Sequence, residues 1–324
     1  MRIYPHNPTD QKLKTDVRGV VVDRAFMAHF QVPATKAVAA STTGVHAAVA
    51  CTTPAIAATC VVKAASAETD ILTTTIPASI GAAGNALSIN LTTAGNDTLA
   101  VTKDDETGVI TIALANSTAS KNTATLTQAA IRALTTVGGV SVAAVTCAAG
   151  GNWNTAAVAT GETAAVAFTG GQTAASQVVT TAITNPAVPR NITATAGGGT
   201  AGDIKAIQVV VAGTNYLDQA ITETLPAFTA DTPGSVVGSK AFKTVTSITI
   251  PAHDGTGATT AIGWGDKLGL PYKLTHNTVL AAYLDNALES TAATVAVSAT
   301  AIESNTIDLN SALDSKIVDA YLLV

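Results

Sequence analysis

The chain is short of charge, aromatic rings and cysteine. Of its 324 residues only 12% are Asp, Glu, Lys or Arg, roughly half the usual share of a soluble domain. No stretch concentrates Lys and Arg with interleaved aromatics, and the net charge is −5. Both features argue against a nucleic-acid-binding surface. Aromatics amount to 4%, as 2 Trp, 5 Phe and 5 Tyr, so cores have to be assembled from small and medium apolar residues with modest burial energy each. Contacts with subunits or partners are the expected supplement to such stability. Cys51, Cys60 and Cys147 form an odd set without metal-ligand spacing, whereas a disulfide framework shows more cysteines in a shorter chain. They read as free, mostly buried thiols, with a Cys51–Cys60 pair left open. Nothing in the spacing implies a metal or a cofactor.

Long apolar runs are also missing. The stretch from Ala25 to Ser66 carries only Lys36 and Lys63 as charges, yet Pro33, Pro54 and many Thr interrupt it. It falls short of the ~20 continuous apolar residues of a membrane span. No signal-peptide core follows Met1-Arg2-Ile3-Tyr4-Pro5-His6, which leads us to expect use inside the cell that makes the protein and no membrane partner.

What is abundant is Ala, Thr, Val and Gly, the composition of thin β-structure. The expected fold is mainly β: a β-sandwich or barrel-like parent with an inserted small α+β module. Residues 1–30 read as an extended N-terminal arm, bearing Arg2, Lys12, Lys14, Arg18 and Arg24 alongside Tyr4, Phe26 and Phe30. Residues 31–50 and 173–324 read as one discontinuous parent domain, and 66–171 as the insert. In the insert, Gly84-Asn85 is expected to open a strand from Ala86 to Thr92. Asp104-Asp105-Glu106-Thr107-Gly108 is expected to turn a hairpin into Val109–Leu114,. Those consecutive acids lack the spaced ligands of a calcium loop. Leu126, Ala130, Ala133, Leu134 and Val137 share one face of a helix over 125–137, with Thr125 or Thr127 as N-cap and Gly138-Gly139 beyond its end,. Strands are expected at 140–146 and 164–169. After Gly171 short strands recur, among them 178–183, 192–196, 204–211, 220–225, 244–250, 279–284, 294–297 and 317–324,.

Three groups invite a chemical reading. His253-Asp254-Gly255-Thr256-Gly257 places an imidazole beside a carboxylate, but without a nucleophile or second base it reads as a turn after Ile250-Pro251,. Gly197-Gly198-Gly199-Thr200-Ala201-Gly202 lacks the Gly-Lys-Ser/Thr ending of a phosphate loop and joins two strands,. The segment from Gly263 to Leu274 concentrates Trp264, Leu268, Leu270, Pro271 and Tyr272, and reads as either a core plug or a partner-facing patch,. No residue set qualifies as catalytic, so the chain reads as a non-enzyme.

The stretches Ile183-Thr184-Asn185-Pro186-Ala187-Val188-Pro189-Arg190-Asn191-Ile192-Thr193, Lys240-Ala241-Phe242-Lys243-Thr244-Val245-Thr246-Ser247-Ile248 and Gly265-Asp266-Lys267-Leu268-Gly269-Leu270-Pro271 resemble tailed-bacteriophage virion proteins of the head-decoration type. The likeness extends over roughly 32–45 and 173–324. The insert, from Gly84-Asn85 to Gly170-Gly171, resembles a β-rich module of phage virion proteins. The resemblance implies a capsid decoration or cement protein without cofactor, binding the major capsid protein on the outer shell and self-associating there after assembly in the host cytoplasm. The resemblance leaves the binding surface unassigned; the concentration of charged and bulky residues in the arm is what makes the residues named there the candidate docking set. The alternatives are another virion component, such as a head fibre or tail protein, and a cell-surface adhesive protein.

Overall fold

The computed structural model describes residues 27–63, 70–151, 153 and 164–324, and the protein is mainly β. Its longest strand, Ala258–Gly269, is the spine of a six-stranded sheet. Arg190–Gly198 flanks it on one side, followed by Gly234–Phe242. Ser41–Ala50 and then Thr306–Asp308 flank the other, with Thr294–Ala296 outermost. All these pairs are antiparallel. The spine crosses a place where only glycine fits: a Cβ on Gly263 would lie 1.7 Å from the Ser41 carbonyl oxygen.

A second sheet, ordered Gln177–Val179, Thr244–Ile250, Val210–Thr214, Ala220–Thr224, shares a core with the first. Ile192, Ala194 and Ile262 come from the spine side, and Val211, Val245 and Ile248 from the other. This is sandwich packing, in which alternate residues of each strand face inward. A third sheet joins Met27–Val32, Val318–Leu323, Val279–Leu284 and Ala287–Leu288 in that order. Its core holds Phe30, Val32, Leu268, Leu270, Ile307 and Leu313. The body therefore has two cores, and segments from both sides of the insert meet in two sheets: Met27–Val32 with Val318–Leu323, and Ser41–Ala50 with the spine.

The insert has a core of its own, running from Ala58 to Phe168. Ser88–Thr93 lies parallel to Val109–Leu114, which forms the expected hairpin with Ala100–Asp104. Ala58–Lys63, Ile71–Ile76 and Thr146–Gly150 make a three-stranded sheet, so this module begins upstream of the expected 66. The helix is Ala124–Ala133, capped by Thr123, whose Oγ1 accepts from Leu126 N at 3.3 Å. It is turned by about one residue from the expected face. Ala124, Thr127 and Ile131 are buried, while Leu126 is 48% exposed, because this face sinks Ile131 completely. Thr127 cannot serve as cap, since its hydroxyl donates back to Thr123 O at 3.0 Å. Gly138 and Gly139, with φ of 52° and 78°, form the two-residue turn of a hairpin joining Thr136–Val137 to Val140–Ser141, the geometry a primed turn demands.

Body and insert meet at a paired neck. Ile56 and Gln172 exchange two backbone hydrogen bonds, of 2.9 and 3.0 Å, and so do Thr59 and Thr169, both of 2.9 Å. Asn85 clasps the exit strand: Nδ2 donates to Gly171 O at 2.8 Å and Oδ1 accepts from Gly171 N at 2.9 Å. Gly84-Asn85 thus belongs to a 3-10 turn, Gly81–Ala86, and the strand starts after it at Ser88. No helix among the described residues is long and apolar enough to cross a membrane.

Candidate binding surfaces

Of the residues expected to dock the arm, Arg2, Tyr4, Lys12, Lys14, Arg18, Arg24 and Phe26 lie outside the described residues. Phe30 faces inward in the terminal core. It belongs to the strand Met27–Val32 and not to an extended arm, because period-2 alternation points Phe30 and Val32 inward and Met27, His29 and Gln31 outward,.

In the segment 263–274, Leu268 and Leu270 are completely buried in a core that also holds Leu274, Tyr272 packs against that core, and Pro271 is half-buried. Trp264 is half-buried, packs against the sandwich core and donates from Nε1 to Ala39 O at 3.1 Å. The segment is locked by Asn305, a buried residue the sequence did not single out. Its Oδ1 accepts from Leu274 N at 3.0 Å and Ser298 N at 2.8 Å, and its Nδ2 donates to Ser298 O and Ala301 O.

His253 is a buried structural residue. Its Nδ1 accepts from Lys205 N at 3.2 Å, which places the proton on Nε2, 2.9 Å from the Thr260 hydroxyl. Burial lowers its pKa, with the Asp254 charge opposing. The glycine-rich loop meets the same corner: Asp203, in the turn Ala201–Asp203, accepts from Gly257 N at 2.8 Å through Oδ2. The two motifs therefore form one loop clasp. Cys51, Cys60 and Cys147 are all free thiols, so Cys51 and Cys60 do not pair. Among the described residues no group of three or more His, Cys, Asp or Glu is placed to hold a metal.

Two surfaces stand out among the described residues. The first is the outer face of the terminal sheet. Asp319 accepts through Oδ1 from Gln31 Nε2 at 2.8 Å and stands 2.6 Å from His29 Nε2. His29 stacks on Tyr321 with ring centroids 4.7 Å apart, and Tyr283 meets Tyr321 edge-on at 6.0 Å. Met27 projects beside them, 69% exposed.

The second is a groove of about 350 Å³ on the six-stranded sheet. Thr193, between the core-facing Ile192 and Ala194, turns to the opposite side, where Val237 and Gly263 are its register neighbours. Asp266, Lys267 and Asp308 line one part of the groove, and Ser41, Thr42 and Ser235 add hydroxyls. Arg190, 1% exposed, anchors the carboxylate end from beneath: one Nη donates to Val38 O at 2.6 Å and the other to Asp266 Oδ1 at 3.3 Å. Burial pushes the Arg190 pKa down to about 10, with Asp266 opposing, so it stays charged at neutral pH. Asn191 fixes the next turn of chain, accepting from Lys267 N at 3.1 Å and donating to Gly238 O at 3.2 Å. Burial raises the Asp308 carboxyl above its ordinary value, with Lys267 opposing and Asp266 adding to the rise. A β-bulge at Arg190–Ile192 assembles this set, and no spacing rule along the chain announces it.

Comparison with protein-family models, with curated proteins and with solved structures finds no match for this chain.

Proposed function

We propose that the chain is a non-enzymatic structural protein of a tailed-bacteriophage head, a decoration protein whose β body sits on the outer shell and holds the inserted module away from it. The neck carries this reading. A module with a separate core enters and leaves at adjacent positions, paired through Ile56 and Gln172. Such an arrangement lets it project without interrupting the body. The body closes its two flanks by strand pairing across the insertion, which suits a rigid mount. The resemblance of residues 183–193, 240–248 and 265–271 to head-decoration proteins points the same way.

The partner is then the major capsid protein, with further copies of this chain as neighbours on the shell, where many modest contacts act together through avidity. The basic and bulky residues Arg2, Tyr4, Lys12, Lys14, Arg18, Arg24 and Phe26 precede the strand Met27–Val32 and supply attachment. A protein starting at Met27 retains that strand and tests the attachment directly. Added to shells lacking the native copy, it should bind more weakly than the full chain, with a shallower dependence on salt. Equal binding across the salt series contradicts attachment by residues 1–26.

A further inference from the structure

We propose that the groove on the six-stranded sheet binds a neutral saccharide. Its charges balance: Asp266 and Asp308 are set against Arg190 below and Lys267 beside them. A balanced site has no net field to draw in an ion, yet it offers both acceptors and donors at fixed positions. Sugar hydroxyls both give and accept hydrogen bonds, and they match such a set.

Two of the groups are unspent. Thr193 is only 8% exposed and lines the groove, and its hydroxyl has no hydrogen-bond partner among the described residues. The Asp308 carboxylate likewise has none, although it is partly desolvated. Both groups open toward the groove and are not sealed from water, so a ligand hydroxyl can take the place of solvent there,. Val237, 50% exposed, adds apolar lining, suited to the C–H face of a pyranose ring. An apolar ligand would leave Thr193 and Asp308 unpaired, and an anion would face two carboxylates.

The test uses the full chain in isothermal titration and saturation-transfer NMR against maltohexaose, cellohexaose, chitohexaose and xylohexaose, with a heparin oligosaccharide and spermidine as charged probes. At least one neutral oligosaccharide should bind at millimolar concentrations or below. Asp308→Ala and Thr193→Val should each weaken that binding about tenfold. Thr193→Val preserves side-chain shape, and its thermal midpoint reports whether the sheet is intact. Asp254→Ala, at the exposed Lys205–Asp254 pair, should leave binding unchanged. Absence of binding by all four neutral oligosaccharides overturns the proposal. So does equal affinity in folded Asp308→Ala and Thr193→Val proteins, or binding confined to the charged probes.

Discussion

At the scale of single residues, His253 and Asp308 make opposite contributions to stability as pH changes. Burial lowers the His253 pKa, so the stability tied to its neutral form is present above the ordinary histidine value, about 6.5, and is lost as pH falls through the folded value. The thermal midpoint of the wild type should decline on acidification from pH ~7 to ~5, and His253→Gln should flatten that decline. An unchanged slope would contradict a neutral buried imidazole. Asp308 has a raised pKa, so its contribution is present below the ordinary carboxylate value and is lost as pH rises through the folded one. Asp308→Asn should therefore raise the midpoint at pH ~7 and leave it nearly unchanged at pH ~3; a lower midpoint at neutral pH would show that the carboxylate stabilises the body. Neither residue stands out in the sequence as buried. His253 resembles a turn residue because its partners Lys205 and Thr260 come from other segments. Arg190, Asn191 and Thr193 sit in an ordinary Thr/Ala strand pattern, and their burial depends on the neighbours at Asp266 and Gly238.

Among the elements, the helix Ala124–Ala133 and the hairpin into Val109–Leu114 were legible, because 3.6-residue periodicity and an acidic Gly-ended turn are local signals,. The expected face through Leu126 differs from the packed one, which centres on the fully buried Ile131. The spine Ala258–Gly269 is not legible as a strand: its three glycines and the Asp266-Lys267 pair mask the alternation, and Gly263 and Gly265 are there for close approach to Ser41 and Asn191. Ala58–Lys63 alternates perfectly in burial, yet its inward residues are Ala58, Cys60 and Val62, too small to register as a hydrophobic stripe. The expected strand 204–211 forms only from Val210, although Ile204, Ile207 and Val209 are buried as core residues. For the helix, Thr123→Ala should cost about 1 kcal/mol in urea unfolding of the insert, through loss of the bond to Leu126 N. A change near zero would assign the cap to water.

For the molecule as a whole, mainly-β architecture was readable from composition and turn spacing, whereas the division of the body into two cores was not. That division depends on Met27–Val32 reaching Val318–Leu323 across nearly the full chain, a pairing without a local signature. The insert's separate core predicts that a chain lacking residues 57–171, with Ile56 joined to Gln172 through a short Gly/Ser bridge, folds to a cooperative body. Loss of cooperative unfolding would show that the insert supports the body's packing.

As the proposed shell-bound structural subunit, the chain would be a stoichiometric component of the particle. Quantitative peptide mass spectrometry of purified virions measures it most directly, with the major capsid protein as the internal standard. The account predicts that the chain is present at a stoichiometry comparable to the capsid subunit and is depleted when the outer surface is stripped by mild denaturant. Its absence from purified particles, or a trace level unrelated to the capsid subunit, would contradict the account.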